Sequence, residues 1–454
     1  MVELYKRFTH SIAWNTLESV VYQLCFLAHQ LLLFSVTDRT TYGLIGTFFS
    51  ITYLIVTITN CGLDVSVAPF FTIITQSKDQ FKKFFLMQLV PELCIVTTLF
   101  LAAMIKHIFF SSLTLPCDVG TPFLIILGTL VFFEGAKKTL RMILHLAFLN
   151  DKTTFVEIAN IIMYVSLVWT SYLLGNPISL YLIFIPMLIV SATSCLMLFV
   201  FVYDYYATLP DKSTSKIEIG SLQWRILQSR FFNFFNQISH MIFSSNFLVP
   251  FFALFFGLHQ AGVLKLLASI THSITTIVQK AFGISSNILL SHIKDESDVV
   301  KKNIFFMITN HLNQVIYGIL LFFIINHKTI MGISAIANTG TTWSIAYLFM
   351  FISFSETFFI AYENFFITHE KAGYLFLFNM IIMSIVMCIM MNMHLFSQLM
   401  LLLAIIAVRI FAFSTLGLLS FYQWRIKPAL AINPRYFFCS FLISITFYML
   451  ALMV

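Results

Sequence analysis

Three cations lie inside long apolar stretches of this 454-residue chain: Lys265, Lys280 and Arg409. A charged side chain at the centre of a bilayer costs about 2.5–3.5 kcal/mol on insertion scales, so such residues are functional candidates. Lys280 lies about 22 Å along a helix from Lys265 and about 60° around it, so both ammonium groups can face one cavity. The guanidinium of Arg409 can donate to two phosphate oxygens at once. We therefore predict that these residues attract an anionic head group such as a diphosphate.

Two of these cations have an equally simple structural interpretation. Lys265 lies roughly 8 Å from the predicted end of its helix, so its long side chain can reach the membrane surface as an anchor. Arg409 can instead form a structural ion pair with an acid such as Glu356. Lys280 lies too deep to reach the surface easily, which favours a polar cavity.

Carboxylates in the apolar stretches are candidates for coupling to an ion gradient. Glu18, about 10 Å into the first stretch, and Glu356 are the predicted coupling carboxylates, for a proton or a sodium ion. Glu134 precedes Lys137 by three residues and Arg141 by seven, and this helical spacing predicts local neutralisation instead of coupling.

The loops give little support to other chemistries. A membrane-embedded glycosyl or phosphoglycosyl transferase, the alternative from another class, needs a carboxylate pair or metal-binding acids in a surface loop. The loop acids lie in short basic turns without an Asp-x-Asp motif, and the seven cysteines lack paired spacing. We therefore predict no enzymatic activity, no metal site and no cofactor. The basic residues form no continuous patch, so we also expect no nucleic-acid partner.

Membrane-spanning helices must carry these residues. Hydrophobic residues make up 59% of the chain and charged residues only 10%, whereas soluble domains are about 25% charged. Runs of about 20 apolar residues, the length needed to cross a bilayer as a helix, recur almost from end to end. Strands of a membrane barrel would be about 10 residues of alternating character. The composition predicts an all-α polytopic membrane protein.

The apolar runs fall into two sets of six. The predicted spans are 11–36, 42–75, 84–106, 120–146, 153–174 and 178–202, then 231–256, 260–291, 303–325, 341–366, 374–394 and 397–421. A thirteenth run, 436–453, follows. We predict an N-terminal six-helix bundle over 1–202, a cytoplasmic linker over 203–230, a C-terminal six-helix bundle over 231–421, and a cytoplasmic turn plus an extra apolar helix over 422–454.

The placement of basic residues predicts the orientation of these spans. Of the 26 Lys and Arg residues, three lie deep inside spans and three lie at the span ends or turns of one side: Arg39, Lys106 and Lys328. All others lie at the N-terminus, or in or beside the opposite turns. Because cytoplasmic loops are enriched in Lys and Arg, the N-terminus is predicted to be cytoplasmic. Arg141 and Arg230, near the same surface, are interpreted as membrane anchors.

The second and eighth spans are related in sequence. The stretch 42–83 recurs as 261–302 at a constant offset of 219 residues, which carries Gly43 onto Gly262. The same offset carries a Lys-Lys pair at the end of one stretch onto a Lys-Lys pair at the end of the other. One register without insertions predicts two halves related by a parallel internal repeat.

Both copies of this repeat are similar to one group of membrane proteins. The second span contains YGLIGTFFSITYLIVTITNCGLDVSVAPFF, and the eighth contains HQAGVLKLLASITHSITTIVQKAFGISSNILLSHIKDES. Together with RMILHLAFLNDKTTFVEIANIIMYV, they resemble the polysaccharide branch of the MOP superfamily, the O-antigen type lipid-linked oligosaccharide flippases. The resemblance implies two six-helix bundles around a central cavity, with the substrate head group in the cavity and its polyprenyl tail in lipid.

This resemblance also implies a function. The expected activity is alternating-access flipping of a polyprenyl-diphosphate-linked oligosaccharide across the bacterial cytoplasmic membrane, for surface polysaccharide synthesis. The implied partners are this glycolipid, membrane lipids and polysaccharide polymerase machinery. A cation-coupled multidrug antiporter of the same superfamily is the alternative, and its cavity should be acidic. The deep cations Lys280 and Arg409 favour the flippase.

Overall fold

The computed structural model describes residues 2–60, 62–67, 70–86, 120–211, 219–278, 372–392 and 397–424, with isolated positions between 297 and 366. Within these residues every regular element is a helix. In chain order the helices are α1 Val2–Val36, α2 Arg39–Asn60, α3 Leu63–Ser66, α4 Phe71–Ile74, α5 78–86, α6 Thr121–Leu146, α7 Asn150–Leu173, α8 Leu180–Thr208, α9 Ile219–Met241, α10 Ser245–Phe256, α11 Leu258–Val278, α12 Ala372–Met391 and α13 Gln398–Trp424.

Several of these helices are long and apolar enough to cross a membrane. In the described part of the chain they are Ala13–Val36, Arg39–Asn60, Asn150–Leu173, Leu180–Thr208 and Gly373–Met391, and the bent pair α9 and α10 is a sixth candidate. The predicted spans 84–106, 303–325, 341–366 and 436–453 lie almost wholly outside the described residues. The chain is an all-α polytopic membrane protein, as predicted.

The chain divides into two compact units. The first contains residues 1–241 and 245–262, and the second contains 242–244 and 263–454. In the first unit α6 packs against α8, α1 against α7, and α2 against α10, whereas in the second α12 packs against α13. The boundaries of the two bundles and of the linker, which rest on the sequence repeat, stay a prediction.

Aromatic packing fixes three helices of the first unit. Phe48 of α2 meets Phe123 of α6 edge-on with ring centroids 5.1 Å apart, and Phe123 meets Phe184 of α8 edge-on at 5.3 Å. All three rings are buried. Edge-to-face pairs contribute about 0.5–1.5 kcal/mol beyond the burial of their apolar area. The cluster therefore holds α2, α6 and α8 in a fixed arrangement.

The predicted continuous span 42–75 is wrong, because α2 ends at Asn60 and the helix resumes as α3. Between them Gly62 has a φ of 71°, a left-handed conformation that glycine adopts without strain at helix ends. Arg230 of α9 donates from Nη2 to the carbonyl oxygen of Asn60 at 3.2 Å, satisfying a carbonyl that a helix end otherwise leaves without a partner. Arg230, interpreted from the sequence as a membrane anchor, is instead buried at this break.

The predicted span 231–256 is also broken. Helix α9 ends at Met241, α10 begins at Ser245, and their axes are bent by 50°. Within α10, Pro250 lacks the amide donor that would bond the carbonyl of Asn246. The predicted connection 203–230 contains the last turns of α8 and the first half of α9.

The 219-residue repeat has a counterpart in the packing of the first unit. A methyl group added to Gly43 would overlap the carbonyl oxygen of Leu258 and lie 2.9 Å from the backbone nitrogen of Gly262. A methyl group added to Gly262 would overlap the carbonyl oxygen of Arg39 and lie 3.1 Å from the nitrogen of Gly43. Leu258 and Gly262 are the residues that the offset assigns to Arg39 and Gly43. The two contacts are therefore equivalent under the repeat.

The variant Gly43→Ala is expected to lower the stability of the protein by about 1–3 kcal/mol, the cost of forcing extra volume into a close-packed contact. Its new methyl group meets backbone atoms, which cannot rotate away as a side chain can. Thermal unfolding in detergent measures the loss. Gly373→Ala is the matched control, because nothing lies within 4 Å of a methyl group added there. Equal unfolding temperatures for the two variants would contradict the close contact.

Candidate functional site

The first unit contains a cluster of charged side chains from three helices. Glu18 comes from α1, Glu134, Lys137 and Arg141 come from α6, and Glu157 comes from α7. Glu18 is completely buried, and the other members are buried except Arg141, whose side chain is 20% exposed. Because water has little access to these five charges, each is stabilised by neighbours of opposite charge. The ion pairs among them therefore define the site.

Arg141 links two of the carboxylates. Its Nη2 atom donates to Oε1 of Glu18, and its Nη1 atom lies 3.5 Å from Oε1 of Glu157. The planar guanidinium presents donors in two directions, so it can serve carboxylates on two different helices. Through this residue α6 is connected to both α1 and α7. Arg141 thus belongs to the buried site, whereas the sequence analysis interpreted it as a membrane anchor.

A second pair lies within α6 itself. The Nζ atom of Lys137 lies 2.9 Å from Oε1 of Glu134, three residues earlier in the helix. The hydroxyl of Ser191, from α8, donates to the same carboxylate oxygen. The local neutralisation of Glu134 predicted from the spacing of these residues is confirmed.

His145 positions Arg141. The side-chain amide of Asn150 donates from Nδ2 to the hydroxyl of Ser11, so its Oδ1 atom is the acceptor that faces Nδ1 of His145. The proton of the imidazole is therefore on Nδ1, which leaves the lone pair of Nε2 to accept from Nε of Arg141 at 3.1 Å. This chain of hydrogen bonds turns the two terminal nitrogens of Arg141 towards Glu18 and Glu157.

The cluster combines buried charges of both signs. Three carboxylates, Glu18, Glu134 and Glu157, lie with two cations, Lys137 and Arg141. Protonation of one carboxylate, or binding of a small cation beside it, changes the pairing of Arg141. The arrangement is chemically suited to take up one positive charge.

The described part of the second unit contains two buried cations. Lys265 of α11 and Arg409 of α13 are 7% and 3% exposed, and they are the buried charged residues among those the structure describes in this unit. The guanidinium carbon of Arg409 lies 3.7 Å from the centroid of the Phe243 ring, a cation–π contact. Lys280 and Glu356, the other predicted site residues, lie outside the described residues.

Sequence reasoning missed part of the first cluster. Glu157 lies inside the predicted span 153–174, so the criterion that selected Glu18 selects it as well. His145 follows Arg141 by four residues, the spacing of neighbours on one helix face. No sequence pattern indicated the contact between Asn150 and Ser11, because these positions are 139 residues apart.

Comparisons with known proteins identify the fold. No known protein family and no curated protein matches the chain in sequence. In structure it is similar to a multidrug resistance MATE family transporter of the MOP superfamily in an outward-facing conformation, with a TM-score of 0.70 over 92% of this chain and 96% of that one, at 11% identity. It is also similar to the eukaryotic MATE transporter AtDTX14, with a TM-score of 0.60 over 97% and 99% of the chains, at 10% identity.

A third similar structure is a MOP superfamily transporter from Pyrococcus furiosus, described as having a binding pocket of reverse polarity. Its TM-score is 0.60 over 92% of this chain and 96% of that chain, at 13% identity. The protein therefore has the fold of MOP superfamily MATE transporters, over nearly its whole length. The superfamily fold implied by the sequence resemblance is confirmed, and the assignment to the polysaccharide branch stays a prediction.

Proposed function

We propose that the protein is a membrane transporter that carries a polyprenyl-diphosphate-linked oligosaccharide from the inner to the outer leaflet of a bacterial cytoplasmic membrane. The fold shared with transporters supports transport by alternating access over the chemistry of a membrane-embedded transferase. A protein of this fold supplies a hydrated path, so sugars and diphosphate need not enter hydrocarbon. Surface polysaccharide synthesis, with its polymerase machinery, is the process that uses such a substrate.

The buried cations of the second unit are the observation that carries this proposal. Lys265 and Arg409 attract an anionic head group and repel a cationic one, and a guanidinium is suited to two phosphate oxygens. The fold does not dictate the charge of the cargo, since a transporter of the same fold has a binding pocket described as reversed in polarity. The charge of the buried side chains is therefore the better guide to the substrate class.

The two carboxylates that share Arg141 in the first unit provide a means of coupling. Glu18 shares Arg141 with Glu157, so uptake of a proton or a sodium ion by the cluster competes with the pairing of Arg141. We expect Glu18→Gln to abolish the dependence of transport on a proton or sodium gradient, while substrate binding is retained. Transport assayed with and without each imposed gradient measures this. A Glu18→Gln variant that still responds to the gradient would remove Glu18 from the coupling step.

A cation-coupled multidrug antiporter is the second candidate. The three buried carboxylates of the cluster around Arg141 favour it, because an acidic site suits cationic cargo. Two of the similar structures are themselves MATE transporters, one of them described as a multidrug resistance transporter. The two candidates predict opposite cargo charge, so one assay distinguishes them.

Reconstituted vesicles test both functions. The protein in proteoliposomes is given either a fluorescent polyprenyl-diphosphate oligosaccharide or a cationic dye, and movement across the membrane is followed. If the protein is a flippase, the glycolipid should cross the vesicle membrane and the dye should not. Dye transport with no movement of the glycolipid would replace the flippase with the antiporter.

A further inference from the structure

An open groove lies between α5 and the last turns of α8 in the first unit. Its volume is about 360 Å³, near the lower end of the range of about 300–1,000 Å³ for ligand-binding pockets. Its walls are mostly aromatic and apolar, and its charged lining residue is Lys82. The aromatic side chains of the wall are Phe81, Phe85, Phe199, Tyr203 and Tyr206. A hydrocarbon chain fits this lining better than a polar solute does.

The floor of the groove is held rigid by ring contacts. The Phe81 ring centroid lies 6.4 Å from that of Phe85 and 5.9 Å from that of Tyr206, and Tyr206 lies 6.3 Å from Tyr203. Phe81 is only 3% exposed and belongs to the apolar core at this end of the unit. The groove is therefore preformed and does not require a ligand to open it.

The groove opens onto a face of α8 that consists of large apolar side chains. Leu196, Phe199, Val200 and Tyr203 are all about half exposed or more. In a membrane protein such a face contacts lipid chains. The tyrosines at the end of α8 match the aromatic residues that membrane proteins place at the interface between hydrocarbon and head groups. A ligand of this groove therefore enters from the surrounding bilayer.

Lys82 is the lysine of α5 that the protein leaves available. Its neighbour Lys78 binds Oδ1 of Asp211 at 2.8 Å, and this hydrogen bond raises the pKa of the Lys78 ammonium. Lys83 binds Oδ2 of Asp79 at 2.7 Å. Within the described residues Lys82 forms no ion pair, although it is adjacent to both pairs in sequence. No described acidic residue therefore neutralises the positive charge at the rim of the groove.

We propose that this groove binds an anionic phospholipid of the surrounding bilayer, with part of one acyl chain against Phe81, Phe85 and Tyr206 and the phosphate at Lys82. A lysine near the membrane surface attracts anionic lipid with about 1 kcal/mol. The basic turn that contains Lys82 is predicted to be cytoplasmic, the side on which such turns meet anionic head groups. The site lies wholly in the first unit and does not depend on the proposed function of Lys265 and Arg409.

Lipid-dependent stability tests the site. The full-length protein in detergent is titrated with phosphatidylglycerol or phosphatidylcholine of the same chain length, and the unfolding midpoint Tm and the lipid bound in native mass spectra are recorded. Phosphatidylglycerol is expected to raise Tm more than phosphatidylcholine. Lys82→Gln should weaken phosphatidylglycerol binding about fivefold. Lys83→Gln should leave phosphatidylglycerol binding unchanged, because Lys83 is already paired.

The apolar wall is tested separately. Phe199→Ala in the groove is compared with Phe155→Ala on α7, since both phenylalanines are largely exposed and Phe155 is not part of the lining. Loss of lipid binding in Phe199→Ala alone supports the groove.

Equal losses of lipid binding in Lys82→Gln and Lys83→Gln would show a diffuse basic surface. A rise in Tm with inorganic phosphate equal to that with phosphatidylglycerol would show an anion site without a lipid. Displacement of phosphatidylglycerol by a polyprenyl diphosphate, with loss of flipping in Lys82→Gln, would assign the groove to the transported substrate. Any of these three results overturns the proposal.

Discussion

Replacing Arg141 by methionine is expected to destabilise the protein by about 3–5 kcal/mol, the typical effect of removing one partner from a buried ion pair. The substitution leaves Glu18, Glu134 and Glu157 in the cluster with Lys137 as its remaining cation. It also removes the connection from α6 to α1 and α7. The loss is measured as the change in the free energy of unfolding in detergent micelles. The exposed Arg225, whose guanidinium carbon lies 5.5 Å from the centroid of the Phe70 ring, is the control when changed to methionine, and its loss should cost about 1 kcal/mol or less.

A double substitution separates this electrostatic effect from lost packing. In Glu18→Gln with Arg141→Met the cluster keeps Glu134, Glu157 and Lys137, so its formal charge returns to −1 from −2. The double variant should therefore be more stable than Arg141→Met alone, with a coupling energy of about 1–3 kcal/mol. Additive losses from the two single variants would show that Arg141 and Glu18 do not interact energetically, and the network would then have only a packing role.

Hydropathy predicted the ends of several helices well. The predicted span 120–146 corresponds to Thr121–Leu146, and the predicted span 397–421 corresponds to Gln398–Trp424. The agreement has a physical basis, because the thickness of the hydrocarbon layer fixes the length of an apolar run. The breaks after Asn60 and after Met241 were not predicted. The apolar composition continues through both, and the first break has a local cause in the left-handed backbone conformation at Gly62.

The site was predictable residue by residue but not as a network. Glu18 could be selected because a carboxylate in an apolar stretch is costly, and the pair of Glu134 with Lys137 followed from helical spacing. The partner of Glu18 could not be selected, because Arg141 is 123 residues away and the pairing depends on how α1 packs beside α6 and α7. Local patterns carry no information about contacts of that kind.

The buried carboxylates among the described residues lie in the first unit, and this placement gives the proposed transporter a division of roles. The described part of the first unit buries three carboxylates near Arg141, whereas that of the second buries Lys265 and Arg409. A site for a coupling cation and a site for an anionic head group need opposite local charge. Because the two sites are built from different helices, substitutions in one should leave the equilibrium affinity of the other largely intact unless a conformational change couples them.

Arg409→Ala is expected to reduce glycolipid flipping by about tenfold or more, since a hydrogen bond to a charged group contributes about 1.5–3 kcal/mol. Arg409→Lys keeps the charge and loses the fork of donors, so we expect an intermediate rate. The rates are measured in proteoliposomes and divided by the amount of folded protein found by size-exclusion chromatography. This correction matters because Arg409 also contacts the Phe243 ring at 3.7 Å.

Phe243→Leu is the control that separates the two roles of Arg409. It removes the cation–π contact and keeps the guanidinium, so it should lower stability by about 1 kcal/mol while the flipping rate per folded molecule stays close to that of the unmodified protein. If Arg409 serves only the packing of α13, Arg409→Ala and Phe243→Leu will lose stability together and neither will lose flipping per folded molecule. A selective loss in Arg409→Ala, graded through Arg409→Lys, is the result that a phosphate-binding guanidinium requires, because lysine keeps the positive charge and loses the fork of donors, whereas alanine loses both.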